Sequence, residues 1–565
     1  MKKLIYFFLI LYTSISSSQN KFPTSDCLKI TYSKKSNGKE IDNQNPIWIF
    51  ANENETLITS KNIITKTATF PNEQTIIKRS NNTIIQFAEL KKTNFTKTTD
   101  SISLANQKFE LIDEIKDILG YKCKKAKTVI NSNQIELWYT NDLKIKGAPT
   151  TLGQNLGLVL ELNRNNTFTI SAVKIEKLKK TTPDAISGID ISSVKKTDIL
   201  TYRDLLWKSR FKTIPVFENE TISFSDTNKS NDSILKFANG TVILKKVTLP
   251  AIKSSSKVFI NLQEQSNGDA YDRTGTVFMI PTENEENTFI KGFKNGVKTL
   301  ASYDNGNGKI YHGAVSKDNF RTPVELMRFF TPFGIKQYNH IELKDKTWHD
   351  KVNYRQDISD FNSILSNHEV WIGVFIGNYD KGGHKISLNM TVHDEEDTDK
   401  SNLNFVSPLF YTTNILEMAG QEYSSMFDNE KGLIIEFDIT KEVKNAKLKY
   451  ISTGHGGWEN GDEFVPKLNS IFLDGKNIFS FTPWREDCGS YRLYNPASGN
   501  FNNGLSSSDY SRSNWCPGTI TNPMTIDLGN LTIGKHILQI KIPQGKPEGS
   551  SFSYWNLSGV LLGEQ

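Results

Sequence analysis

The feature that most constrains this chain is the period of its apolar residues. They come in short runs that alternate or stay apolar for about four to eight residues, between clusters of Gly, Asn, Asp, Ser and Thr. Ile47–Phe50, Thr83–Phe87 and Gln134–Tyr139 read this way, and so do Phe237–Leu249, Lys257–Leu262, Thr274–Ile280, Trp371–Ile376, Lys385–Val392, Leu433–Ile439, Asn445–Ile451 and Lys535–Ile542. A helical stripe is legible at Asp357–Leu365, where Ile358, Phe361, Ile364 and Leu365 share a face and Asp357 or Ser359 can cap it. The expectation is an all-β protein of many short strands.

At 565 residues the chain is too long for one hydrophobic core, so two to four domains are expected. Residues 19–210 form a first region. From Thr181 the text turns polar and loses its alternation, and Ser223–Ser233 reads as a linker or long loop. Asp394–Asn402 is a polar, acidic loop. Asn477–Asn522 is long and irregular, and loops of that length in a compact β domain are usually functional.

The first residues predict export. Lys2 and Lys3 precede an apolar Leu4–Tyr12, and mostly small residues follow from Thr13 to Ser18. That is the layout of a secretory signal peptide, with cleavage near Ser18, and the apolar run is too short to span a bilayer. No later stretch is apolar enough to span one. An exported chain with four cysteines is expected to form disulfides. Cys488 with Cys516 is the local pairing, which leaves Cys27 with Cys123; the alternative is buried free thiols.

The net charge of +6 is dispersed. Its densest patch, Lys174, Lys177, Lys179 and Lys180, is interrupted by Glu176, which suits a solvated face better than a nucleic-acid stripe. All eight histidines lie after residue 311, without HExxH or any other tight metal spacing. No G-x-S-x-G elbow, P-loop or dinucleotide fingerprint is present.

Chemistry is left to carboxylates in loops. Asp269-Ala-Tyr-Asp272-Arg273 stands just before a strand, where the cation can hold a carboxylate ionised; taken alone, a surface ion pair is the blander reading. Gly454–Glu463 carries three acids with His455 and Trp458. Arg512-Ser-Asn-Trp515-Cys516-Pro-Gly518 is a third loop.

These segments resemble the peptide-N-glycosidase F family. Asp269–Arg273 followed by Thr276-Val-Phe-Met-Ile280 looks like the motif with that family's primary catalytic Asp. Met327–Phe333, Asp357–Leu365, the loop ending in Glu463 with Asn469-Ser-Ile471, and Arg512–Gly518 follow in the family's order across roughly 235–565.

The resemblance implies two adjacent eight-stranded antiparallel jelly-roll sandwiches, over 211–395 and 396–565, with the site between them. It also implies hydrolysis of the amide between asparagine and the innermost N-acetylglucosamine of N-linked glycoproteins and glycopeptides. The products would be aspartate and a glycosylamine. Asp272 would activate water, and Glu463 would bind the amide or move a proton. Arg273, Arg512, Trp515 and Tyr379 would contact substrate, and His455 either contacts it too or is a structural histidine of its loop. No metal or other cofactor is required, and a monomer is expected.

Two departures from the family stand out. Its third Glu falls here on Phe375 or Gly377, so Asp380, beside Tyr379, becomes the substitute carboxylate. Glu463 also lacks flanking cysteines, so another brace must hold its loop. The rival reading is a non-catalytic carbohydrate-binding protein of the same fold, which would not need both Asp272 and Glu463.

Residues 20–205 resemble the GLPGLI family of secreted proteins, through Ile118–Ala126, Leu137–Asp142, Gly147-Ala-Pro and Gly157–Leu162. That family carries no assigned chemistry, and a mostly β accessory domain is implied.

Overall fold

The computed structural model describes residues 27–179, 181–334, 343–394, 402–457, 460–496, 498–499 and 504–565. The expected leader Met1–Ser18, Lys180, Trp458, Glu459 and most of the acidic loop at 394–402 lie outside the described residues. The chain divides into two compact units, Met1–Arg210 and Phe211–Gln565.

The first unit is one antiparallel sheet of twelve strands. Its alternating strands put Ile30, Tyr32, Leu137 and Leu160 into one core. After Leu178 the alternation stops and two helices follow, Pro183–Ser187 and Ile199–Lys208, the second capped by Asp198.

The Cys27–Cys123 pairing is not formed, and both cysteines are buried free thiols. Strand order is the reason. Cys27–Ser36 and Tyr121–Ile130 are separated in the sheet by three strands. Four strand-to-strand steps of about 4.8 Å exceed the Cα separation a disulfide can bridge.

The second unit holds two sandwiches. In the first, one sheet runs Phe211–Ile222, His384–His393, Lys257–Ser266, Val352–Asp357. The facing sheet runs Leu235–Phe237, Val242–Thr248, Glu369–Ile376, Thr274–Pro281, Val324–Phe330, Ile520–Thr521. The second sandwich has four strands in each sheet, with Tyr554–Glu564 and Val443–His455 central in one and Gly534–Lys541 and Asn469–Leu473 in the other. The helical stripe at 357–365 becomes a short turn of helix, Ser359–Phe361 running into Asn362–Leu365.

Ser223–Ser233 is a loop inside the first sandwich, between Phe211–Ile222 and Leu235–Phe237, and not a linker between domains. Phe211–Ile222 escapes a sequence reading because it is an edge strand with Pro215 in it and two irregularities in its pairing.

Val324–Phe330 is buried at every position. A strand covered on both faces loses alternation, and here the second cover is the other sandwich, whose Val560 and Leu562 join the first core. The seam also contains a buried ion pair. Arg328 meets Glu325 at 2.6 Å and donates to Thr453, Thr413 and the carbonyl of Asn556, while Glu325 accepts from Thr276 and Ser558. Each charge carries the hydrogen bonds that make burial tolerable. No described helix is long and apolar enough to cross a membrane.

Candidate active site

Three chain segments converge where strands of the two sandwiches end. Asp272 and Arg273 immediately precede Thr274–Pro281. Glu463 follows Val443–His455, and Arg512 and Trp515 come from the long loop before Ile520–Thr521. Arg512, 1% exposed, brings its Nη1 to 3.2 Å from Asp272 and donates it to Glu463 as well. Its guanidinium lies 4.3 Å from the Trp515 ring centroid and 5.0 Å from that of Phe464. Two carboxylates from different sandwiches thus share one arginine.

Burial sets their protonation, and the shared arginine opposes it. Burial raises the Asp272 carboxyl above its ordinary value against the opposing pull of Arg512 and Arg273. Burial also pushes Glu463 up to about 7; Arg512 opposes the rise and the charge of Asp272 adds to it. Near neutral pH the pair therefore has both an acceptor and a donor of protons within reach.

The Glu463 loop has its brace. The carboxylate of Asp462 accepts from Trp555 Nε1 at 2.7 Å and from the Gly545 amide at 2.9 Å. Ser513 donates to the carbonyls of Asp462 and Glu463 at 2.5 and 2.9 Å. Gly456, at φ 78°, permits the close turn; a Cβ there would lie 2.0 Å from the Phe552 carbonyl oxygen. The Cys488–Cys516 disulfide, Cα to Cα 5.1 Å, pins the loop that carries Arg512 and Trp515.

Arg273 is held by a buried relay. Its Nε and Nη2 reach Asp269 at 2.7 and 3.0 Å. His384 stands between Glu264, 2.8 Å from Nδ1, and Asp269, 3.4 Å from Nε2. Burial alone would lower the His384 pKa, but the two carboxylates outweigh it and raise it to about 9. Asp269 is in turn held well below the usual carboxylate range by His384 and Arg273, despite burial. Glu264 and His384 were missed in sequence because Glu264 lies near the end of one alternating strand and His384 opens another, where an inward polar residue reads as an irregularity.

A cavity of about 170 Å³ opens on these groups, and Asp272, Arg273, Tyr379, His455, Glu463 and Trp515 all line it. His455 stacks on Tyr554 with ring centroids 5.1 Å apart and is kept neutral by burial and by Arg328 and Arg512. Trp515 stacks on Phe330 at 4.4 Å and donates to the Gly454 carbonyl.

Asp380 is not part of the site. Its carboxylate caps a turn by accepting from the amides of Gly382 and Gly383 at 2.7 and 2.9 Å. The carboxylate that is present is Glu417, from the loop after Phe405–Tyr411, which accepts from the hydroxyls of Tyr379 and Tyr423. Both alternative positions for the family's third Glu, Phe375 and Gly377, line the same cavity. Nothing local in the sequence marks Glu417, because it belongs to the other sandwich.

A larger cleft of about 460 Å³, bounded by Arg355, Arg485, Tyr491 and Tyr494, has no carboxylate in its lining. It lacks the acid–base groups that hydrolysis needs, so the smaller cavity is the candidate. Among the described residues no group of three or more His, Cys, Asp or Glu is placed to hold a metal ion.

Three family models match the chain. They are described as the N-glycanase peptide N-terminal domain over residues 30–204, the N-terminal part of peptide-N-glycosidase F over 213–392, and its C-terminal part over 422–562. No curated protein matches. Among solved structures, PNGF-II in a C2 crystal form is 54% identical over 96% of this chain and 98% of its own, with a TM-score of 0.87. The P21 form gives 54%, 96% and 100%, with a TM-score of 0.88. With that identity over nearly all of both chains, and family models along most of its length, the chain belongs to the peptide-N-glycosidase F family.

Proposed function

We propose that this N-glycanase hydrolyses the amide joining asparagine to the innermost N-acetylglucosamine of N-linked glycoproteins, giving aspartate and a glycosylamine, with Asp272 as primary catalytic residue. The observation that carries this reading is the pair Asp272 and Glu463 on one buried arginine at the cavity wall. Asp272 takes a proton from water, whose oxygen attacks the amide carbon. Arg512 and Arg273 offset the negative charge that develops. Glu463, with its pKa near 7, gives a proton to the departing nitrogen as the C–N bond breaks. The packed rings of Trp515, His455 and Tyr554 form a wall of the kind sugar rings pack against.

Action as a monomer is part of this proposal. Lys2, Lys3 and Leu4–Tyr12 support export to the cell exterior or periplasm, and the Cys488–Cys516 disulfide suits that destination.

The test is mass spectrometry of a denatured N-glycoprotein treated in oxygen-18 water. A heavy Asn-to-Asp shift at the glycosylated site, absent with Asp272→Asn, is the expected result. Release that leaves one N-acetylglucosamine on the asparagine would overturn the reading.

A further inference from the structure

Two carboxamides in the cavity wall have hydrogen-bonding atoms left over. Asn414 is 4% exposed and Asn556 3%, and both line the cavity. The Oδ1 of Asn414 accepts from Ser424 at 3.4 Å, but its Nδ2 donates to nothing among the described residues. The Oδ1 of Asn556 is buried and accepts from nothing among them. Each stands on the seam that Arg328 ties together: the arginine donates to the Asn556 carbonyl at 3.1 Å and to Thr413, the neighbour of Asn414, at 2.7 Å. Leaving a buried polar atom unpaired is costly, so a wall that keeps two is built for a ligand that satisfies them.

We propose that Asn414 and Asn556 recognise the 2-acetamido group of the sugar attached to asparagine, and so set the specificity of the site. This rests on reading the cavity as the glycosyl-asparagine amide site. One free donor and one free acceptor complement the C=O and N–H of an amide. Two amides come near this cavity, the scissile one and the acetamido group. The scissile amide must face Asp272, Glu463 and Arg512, which move protons and hold charge. Asn414 and Asn556 are neutral and exchange no protons, so they suit the amide that passes through the reaction unchanged. A sugar with a hydroxyl at that carbon leaves at least one of the two atoms unsatisfied, and polar sites of this kind discriminate strongly against analogues lacking the matching group.

The experiment compares kcat/KM on one peptide carrying N-acetylglucosaminyl-asparagine and on the same peptide carrying glucosyl-asparagine. Wild type is expected to prefer the first by about a hundredfold or more, and Asn414→Leu or Asn556→Leu to reduce that ratio at least about tenfold, the loss falling on the acetamido substrate. Retained turnover of the glucosyl peptide reports folding. Asn414→Asp, which keeps the shape and removes the donor, is the second variant. Calorimetric binding of both peptides to the Asp272→Asn protein, with and without the Leu substitutions, reads the same preference without turnover. An unchanged ratio in the variants, with both substrates falling together, overturns the inference while leaving the amidase reading intact. If wild type cleaves neither peptide, the amidase reading fails; the binding preference then decides the inference alone, equal binding of the two peptides overturning it.

Discussion

The carboxylate of Glu417 lies 3.3 Å from the point where a Cβ on Gly377 would stand. An acid from the second sandwich occupies the space that a side chain at residue 377 of the first would fill. Glu417→Ala is therefore expected to lower kcat/KM by about ten- to a hundredfold, the scale of one charge-assisted contact. Gly377→Glu alone should also be deleterious, because two carboxylates would compete for one space. The double variant Gly377→Glu with Glu417→Ala is expected to recover part of the loss, and a double-mutant cycle on kcat/KM checks it. Additive losses would contradict the exchange.

Asp272→Asn is expected to cut kcat by about a thousandfold, within the range for losing a general base. It should not destabilise the fold at neutral pH. Burial raises the Asp272 pKa, so its ionised form costs stability there, and a neutral amide removes that cost. Melting temperature and single-turnover rate together check both halves.

Glu463 has its pKa at about 7 in the fold against 4.5 in the open chain. Its contribution to stability is therefore present below pH 4.5 and is lost as pH rises through 7. Glu463→Gln is expected to melt above wild type at pH 8 and to converge with it at pH 4.5, while losing turnover at both. The wild-type rate should fall above pH 7 as the proton donor ionises, and a pH–rate profile reads that limb.

His384 has its pKa raised from 6.5 to about 9 by Asp269 and Glu264 against the effect of burial. Its contribution is full below pH 6.5 and declines as pH rises through 9. His384→Gln should flatten the wild-type fall in melting temperature over that window. If His384 positions Arg273 through Asp269, KM should rise more than kcat falls.

Under native oxidising conditions, thiol titration in denaturant without reductant should count two free thiols, Cys27 and Cys123. Cys516→Ser should lower stability by about 3.5 kcal/mol, the scale for a loop closed over a separation of 28 residues, and should weaken activity beyond that through the segment carrying Arg512 and Trp515. Denaturant melts check it, with four thiols counted in the reduced wild type and three in the variant.

Much of the fold was legible in the sequence because β periodicity is local. Leu433–Ile439 occupies the residues its pattern marks, and Thr274–Pro281 and Glu369–Ile376 differ from their expected ranges by one or two residues. The ordered motifs also carried the family, and they marked Asp272 and Glu463, which the fold brings onto one arginine. What was not legible depends on which distant strands become neighbours. Cys27 and Cys123 look like partners until the sheet puts three strands between them. Asp380 looks like a site carboxylate until its own turn takes it. Glu417, His384, Asn414 and Asn556 carry no local signature. Glu417 and His384 gain their meaning from partners on distant strands or on the other sandwich, and Asn414 and Asn556 from lining a cavity that both sandwiches build; only tertiary packing creates the buried surroundings in which an acid is raised to about 7 or a carboxamide is left unpaired.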